Sequence, residues 1–303
     1  MLRRTLLFLS RQTWLRKAAE SRGMVGAPAR RFIAGQRLGE AVSVCRRLAA
    51  EGYLISLDHL GENVTAFSEA RAALDHYRQA LHAIEKERLP STISIKLTQL
   101  GLDLESSGCE RLAFELCDRA RDAGTQVEFD MESSGYVDRT LQIVEAAHAR
   151  TANVRAVIQA YLRRSERDIE RLNALRIPVR LCKGAYLEPP ELAFPSKREV
   201  DASYHGLTRL LLESGTRPAI ATHDPAMVKG AVDEARRLGL SPDRFEFQML
   251  YGIRRDLQRR ILGMGYRLRL YVPYGDAWYP YFMRRLAERP ENLWFILRNI
   301  LRG

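Results

Sequence analysis

No stretch of this 303-residue chain is apolar for long enough to cross a bilayer. Cysteine is scarce: Cys45, Cys109, Cys117 and Cys182 form no CxxC pair, which argues against a disulfide framework and fits a reduced cytosol. The six histidines include no HExxH, so no metal site is expected. Low-complexity tracts are absent, as are linkers rich in Pro, Gly or Ser. The opening segment MLRRTLLFLSRQTWLRK has an apolar run of only Leu6 to Leu9, with Arg11 following and no small-residue cleavage site. That excludes an export signal and leaves an amphipathic helix.

What remains is the composition of an ordinary globular protein, 46% apolar and 28% charged. The net charge of +11 raises nucleic acid and anionic membrane as partners. The basic residues are interspersed with acids, as in RSERDIERL, and no nucleic-acid motif is present. No nucleic-acid partner is expected. Weak peripheral contact with a membrane is the better use of the charge.

Strand-like runs alternate with helix-like runs along the chain. The strand candidates are YLISLD (53–58), TISIKL (92–97), QVEFDM (126–131), VRAVIQAY (154–161), PVRLCK (178–183), PAIATH (218–223), FEFQML (245–250) and RLRLY (267–271). Between them lie helical patterns such as SEARAALDHYRQALHAIEK and ERLAFELCDRARDAG. Such alternation indicates parallel βα units. Eight of them predict a distorted (β/α)8 barrel over residues 51–303, preceded by a helical segment, 1–50, packing on it. An open doubly wound sheet is the alternative, but no GxGxxG follows the first strand.

Most of these strands carry one polar face: Ser56 and Asp58, Ser94 and Lys96, Glu128 and Asp130, Arg155 and Gln159, Arg180, Glu246 and Gln248, Arg267, Arg269 and Tyr271. Successive side chains point to opposite faces, and helices must cover the apolar one, so the polar set lines the interior. Buried charges have to be paired or occupied. Glu128, Arg155, Glu246, Arg267 and Arg269 come early in their strands and are expected to pair with one another. Lys96, Asp130, Gln159, Arg180, Thr222, His223, Gln248 and Tyr271 come at or near the C-terminal ends, where barrel active sites sit. Near the end of the chain, Tyr281, Arg284, Arg285 and Glu288 form one stripe of a helix. Surface decoration is the bland explanation of that stripe, unless a pocket faces it.

The segments SIKLTQLG, EFDMES, VIQAYL, VRLCKGAY, ATHDP, FEFQMLYG, LYVPYG and YFMRRLAE resemble, in order, the strand-end motifs of the proline dehydrogenase family. The resemblance implies a monofunctional, FAD-dependent enzyme oxidising L-proline to Δ1-pyrroline-5-carboxylate. Its electrons would pass to membrane quinone, and a separate pyrroline-5-carboxylate dehydrogenase would act downstream. The expected location is cytoplasmic, against the inner face of the cytoplasmic membrane. It further implies that Arg284, Arg285 and Lys96 bind the substrate carboxylate, with Tyr271, Tyr281, Leu250 and Tyr186 around the proline ring. Arg180, Asp130 and Tyr271 would be the catalytic set. Gln159, Arg180, Lys183, Gly184, Tyr186, Thr222, His223, Gln248, Arg285 and Glu288 would hold the cofactor. Leu187 stands where some relatives carry Trp. Two rivals remain open: a Schiff-base aldolase-like barrel using Lys96 or Lys183, and a basic nucleic-acid binder without catalysis.

Overall fold

The computed structural model describes residues 29–288, with side chains from 30 to 283. Eight parallel strands close into a barrel in the order β1 to β8: Leu54–His59, Ser91–Ile95, Val127–Phe129, Val154–Gln159, Val179–Cys182, Ala219–Ala221, Glu246–Leu250 and Arg267–Tyr274. Each lies within, or within a few residues of, a run of alternating or β-branched apolar residues. Closure comes from β8 beside β1, with Leu54 opposite Arg269 and Asp58 opposite Pro273.

Helices α1 (Leu38–Ala50), α2 (Phe67–Lys86), α3 (Ser106–Asp122), α4 (Val137–Thr151), α5 (Ser165–Ala174), α6 (Lys197–Ser214), α7 (Pro225–Arg237), α8 (Arg255–Gly263) and α9 (Trp278–Glu288) accompany them. Local signals set several starts. Ser196 and Glu199 form a reciprocal capping box on α6. Asp224 caps α7, with Pro225 as its first residue. The main core is the layer between strands and helices, with Ile55, Leu57, Ile93, Ile95, Val127, Phe129, Leu181, Phe247, Leu268 and Leu270 facing outward into it.

The barrel departs from regular form at the β8–β1 seam. Helix α1 packs there against both strands, although it precedes β1 in the chain. The opening amphipathic stretch of the 1–50 segment lies outside the described residues. Helix α9 belongs to a second apolar cluster with Phe32, Ile33, Leu60 and Ile253; Leu60 follows β1, and Leu250, at the end of β7, packs against the cluster. The helix that carries the Tyr281 stripe is thereby placed at the C-terminal mouth.

Inside the barrel the polar faces meet. Arg155 reaches Glu128 at 2.7 Å and Glu246 at 2.6 Å, and Arg269 grips Glu246 at 2.7 and 3.0 Å. Arg269 also donates to the Ile55 carbonyl, and Ser56 donates to Glu128. Burial alone would raise the Glu246 carboxyl, but Arg155 and Arg269 outweigh it and hold it well below the usual carboxylate range. Arg267 is the exception to the expected network. It begins β8 at the exposed rim, where solvent removes the need for a partner.

Removing one member of a buried pair strands the other. Glu246→Gln should therefore destabilise the fold by about 3–5 kcal/mol. Breaking the exposed Arg46–Glu87 pair, which solvent screens, should cost far less. Urea denaturation of the two variants checks this, and equal costs would contradict it.

Candidate active site

Above that layer the same strand faces build a second one. Asp58, Lys96, Asp130, Arg180 and Tyr271 come from five different strands or their immediate C-terminal ends. Lys96 Nζ lies 3.3 Å from both Asp58 and Asp130 and 3.4 Å from the Tyr271 hydroxyl. The Tyr271 hydroxyl donates to Asp130 at 2.6 Å. Arg180 pairs with Asp130, donates to Ser94 at 3.0 Å, and sits 5.5 Å from the centre of the Tyr271 ring.

The two layers are one electrostatic unit. Arg180 also reaches Glu128 below it at 3.2 Å and donates to Gln248 at 3.2 Å. Gln248 in turn donates to Glu128 and Glu246. Glu128, Glu246, Asp58 and Asp130 thus face Arg155, Arg269, Arg180 and Lys96, four charges of each sign.

The two upper carboxylates differ. Burial would raise Asp130, but Arg180 and then Lys96 outweigh it and hold it below its usual range. Burial raises Asp58; Lys96 opposes that and the Asp130 charge adds to it, so Asp58 lies above its usual range. Asp58 Oδ2 is buried without a hydrogen-bond partner among the described residues. Burial would lower Lys96, yet Asp58 and Asp130 hold it well above the usual lysine range. A Schiff-base lysine must be deprotonated, so the two carboxylates 3.3 Å from Lys96 Nζ weigh against the aldolase-like alternative there. Lys183 does not rescue it, being paired with Asp201 at 2.5 Å and Asp224 at 3.1 Å.

The structure gathers some of the other candidate residues and separates others. Leu250 and Tyr281 share the α9 cluster. His223 Nε2 accepts the Leu250 amide at 2.8 Å, and Thr222 Oγ1 accepts the Asp224 amide at 3.1 Å. Gln159 is buried and donates to the Glu132 carbonyl at 2.8 Å. Lys183 points to carboxylates of α6 and the α7 cap rather than joining Arg180. Gly184 has φ +108°, and a side chain there would strike the Tyr161 ring. Tyr186 and Leu187 are exposed. Arg284, Arg285 and Glu288 lie in the last turns of α9, and their side chains fall outside the described residues.

Two residues at the end of β1 received no role from sequence. Asp58 carried the signal, since it shares the parity of Ser56 on the polar face. His59 has the opposite parity and stacks on His76 with ring centres 4.1 Å apart, beside Tyr77 and Tyr274.

A family model described as proline dehydrogenase matches residues 41–298. This chain belongs to the proline dehydrogenase family. Proline dehydrogenase 1 of Bacillus subtilis strain 168 is 39% identical over all of both chains. The proline dehydrogenase of Deinococcus radiodurans is 36% identical, over 91% of this chain and 90% of that one. Among solved structures, proline utilization A of Bdellovibrio bacteriovorus superimposes with a TM-score of 0.80 at 27% identity. That match covers 86% of this chain and 32% of the larger protein. Membership supports proline dehydrogenase activity, an oxidoreductase reaction of proline catabolism.

His59 makes the site's neighbourhood sensitive to acid. Burial, then the charges of His76 and Lys96, push its pKa from 6.5 down to about 4. The folded state disfavours the charged ring, so the stability involved is complete above about 6.5 and is lost as pH falls through about 4. His59→Phe should flatten the decline of unfolding free energy between those values, measured by urea titration at each pH. An unchanged slope would show that His59 is not the titrating group.

Proposed function

We propose that the chain oxidises L-proline to Δ1-pyrroline-5-carboxylate with bound FAD at the C-terminal mouth of the barrel. The observation that carries this reading is the cluster at that mouth in which Lys96, Arg180 and Tyr271 all converge on Asp130. Membrane quinone as acceptor and a separate downstream dehydrogenase follow from the family resemblance. Peripheral membrane contact has the +11 charge behind it; among the described residues no helix is long and apolar enough to cross a membrane.

The residues present suit a flavin dinucleotide. Arg180 is a permanently charged donor in a buried position, Thr222 and His223 follow β6, and Gly184 leaves backbone bare where a side chain would clash. Gln159, Gln248, Tyr186, Arg285 and Glu288 complete the proposed set, and Lys183 would join it only by exchanging a carboxylate partner. Bound there, FAD supplies the acceptor for the hydride on the proline carbon beside nitrogen. Arg180 stabilises the negative charge that builds up on hydride acceptance. Asp130 holds Arg180 and Tyr271 in place, so neither group has to reorganise as charge moves.

Arg284 and Arg285 bind the substrate carboxylate through their forked guanidinium donors, with Lys96 as the third cation. Tyr271, Tyr281 and Leu250 enclose the ring, with Tyr186 at the edge. The reaction requires neutral amine, and a cationic cluster lowers the amine pKa on binding. Because Asp58 and Asp130 already balance Lys96 and Arg180, that effect falls on Arg284 and Arg285. The proton leaves to water before the chemical step.

The test is anaerobic stopped-flow reduction at saturating L-proline. Proline should bleach the flavin absorbance, with the rate rising with pH through one ionisation. Arg180→Met should slow reduction more than it weakens proline binding. An unchanged spectrum at full flavin occupancy would remove proline as substrate. A rate flat across the alkaline range, with Arg180→Met impaired only in binding, would overturn the role given to Arg180.

A further inference from the structure

A cavity lies outside the barrel, in the groove between α1 and α8 over the outer face of β8. Its volume is about 460 Å3, within the range of small-ligand sites. Its floor is apolar, with Leu48 of α1 and Leu270 of β8, and its walls carry Tyr53, Tyr251 and Gln258. Three guanidiniums line it, Arg47, Arg255 and Arg259, against the single carboxylate of Glu51.

The pocket is cationic by construction. Arg255 and Arg259 stand one turn apart on α8, so both project to the same side. Neither has an ion pair among the described residues. The neighbouring acid, Asp256, is taken by Arg254 at 2.9 Å and does not neutralise them. Arg47 spans the groove, donating to the Tyr251 hydroxyl at 3.2 Å. Two further contacts fix the rim. Arg31 Nε donates to the Gly252 carbonyl at 3.4 Å, and Gly252, at φ +75°, sits against the Arg31 backbone where a side chain would collide. Arg31 lies close enough to Arg255 for their charges to interact, and burial followed by that charge lowers its pKa.

Like charges held around a cavity with an apolar floor favour an anion that brings its own organic group. Forked donors converge best on an oxyanion with several equivalent oxygens. We infer that the groove between α1 and α8 is an organophosphate site, in which Arg47, Arg255 and Arg259 hold the phosphate and Leu48, Leu270 and the tyrosine rings take the attached group. A phospholipid headgroup and a free phosphomonoester share this chemistry. The site is separated from the barrel interior by β8 itself: Arg269 and Tyr271 point inward, and Leu270 points into the groove.

Calorimetric titration of the full chain with inorganic phosphate, at ionic strength held constant with sodium chloride, tests the site. The native protein should bind phosphate. Arg255→Gln/Arg259→Gln should bind at least about ten-fold more weakly, having lost two charge-assisted contacts. Arg255→Lys/Arg259→Lys keeps the charge without the forks and should fall between, which guards against a folding defect in the glutamine variant. Sedimentation with phosphatidylglycerol vesicles, against phosphatidylcholine vesicles, then separates the sources. Loss of vesicle binding in the glutamine variant, with competition by phosphate, assigns the site to a headgroup. Phosphate binding with vesicle binding unchanged assigns it to a free phosphomonoester. No phosphate binding by the native protein, or equal binding by the glutamine variant, overturns the site.

Discussion

Glu128 is the residue on which the rest of the interior depends. Fully buried at the centre of the barrel, it is reached by Arg155, Arg180, Ser56 and Gln248, groups from four other strands. Its carboxyl lies below its usual range because Arg180, Arg155 and Arg269 together outweigh its burial. A barrel normally fills this space with branched apolar side chains. Here the volume is filled by charge, and that is tolerable only because each carboxylate has its cation and the signs balance. Closure, strand parity and the position of Arg180 are therefore one constraint.

That constraint also shapes the upper layer. Arg180 is anchored from below by Glu128 and Gln248 and from the side by Asp130 and Ser94, so its guanidinium is fixed before any ligand arrives. Asp130 is the junction, meeting Arg180, Lys96, Tyr271 and Ser94 together. A site preorganised in this way suits a reaction in which charge moves and few atoms do.

Much of this was legible in the sequence, because period-two alternation in TISIKL, QVEFDM and FEFQML leaves only one way to orient a strand whose apolar face must meet helices. The same logic placed Lys96, Asp130, Arg180 and Tyr271 together. It failed where parity carries no information. Arg267 has interior parity but stands at the open end of β8, where water makes a partner unnecessary. Lys183 follows the end of β5, and its direction is set by Asp201 and the α7 cap, residues distant in sequence. His59 owes its place to a ring stack with His76 on α2, a tertiary contact without a local signal. Asp58 was visible on the polar face but needed Lys96 beside it to acquire a role. The pairing of α1 with the β8–β1 seam, and α9's consequent position at the mouth, is likewise a packing outcome that periodicity alone does not specify.

The central claim is that the buried network holds Arg180 for chemistry, and a double-mutant cycle between Glu128 and Arg180 tests it most directly. Read as the rate of anaerobic flavin reduction by L-proline, Glu128→Gln should slow the reaction although the residue lies beneath the site. In the Arg180→Met background the same change should have little further effect, because its route to the proposed flavin site is gone. Equal slowing by Glu128→Gln in both backgrounds would contradict the account.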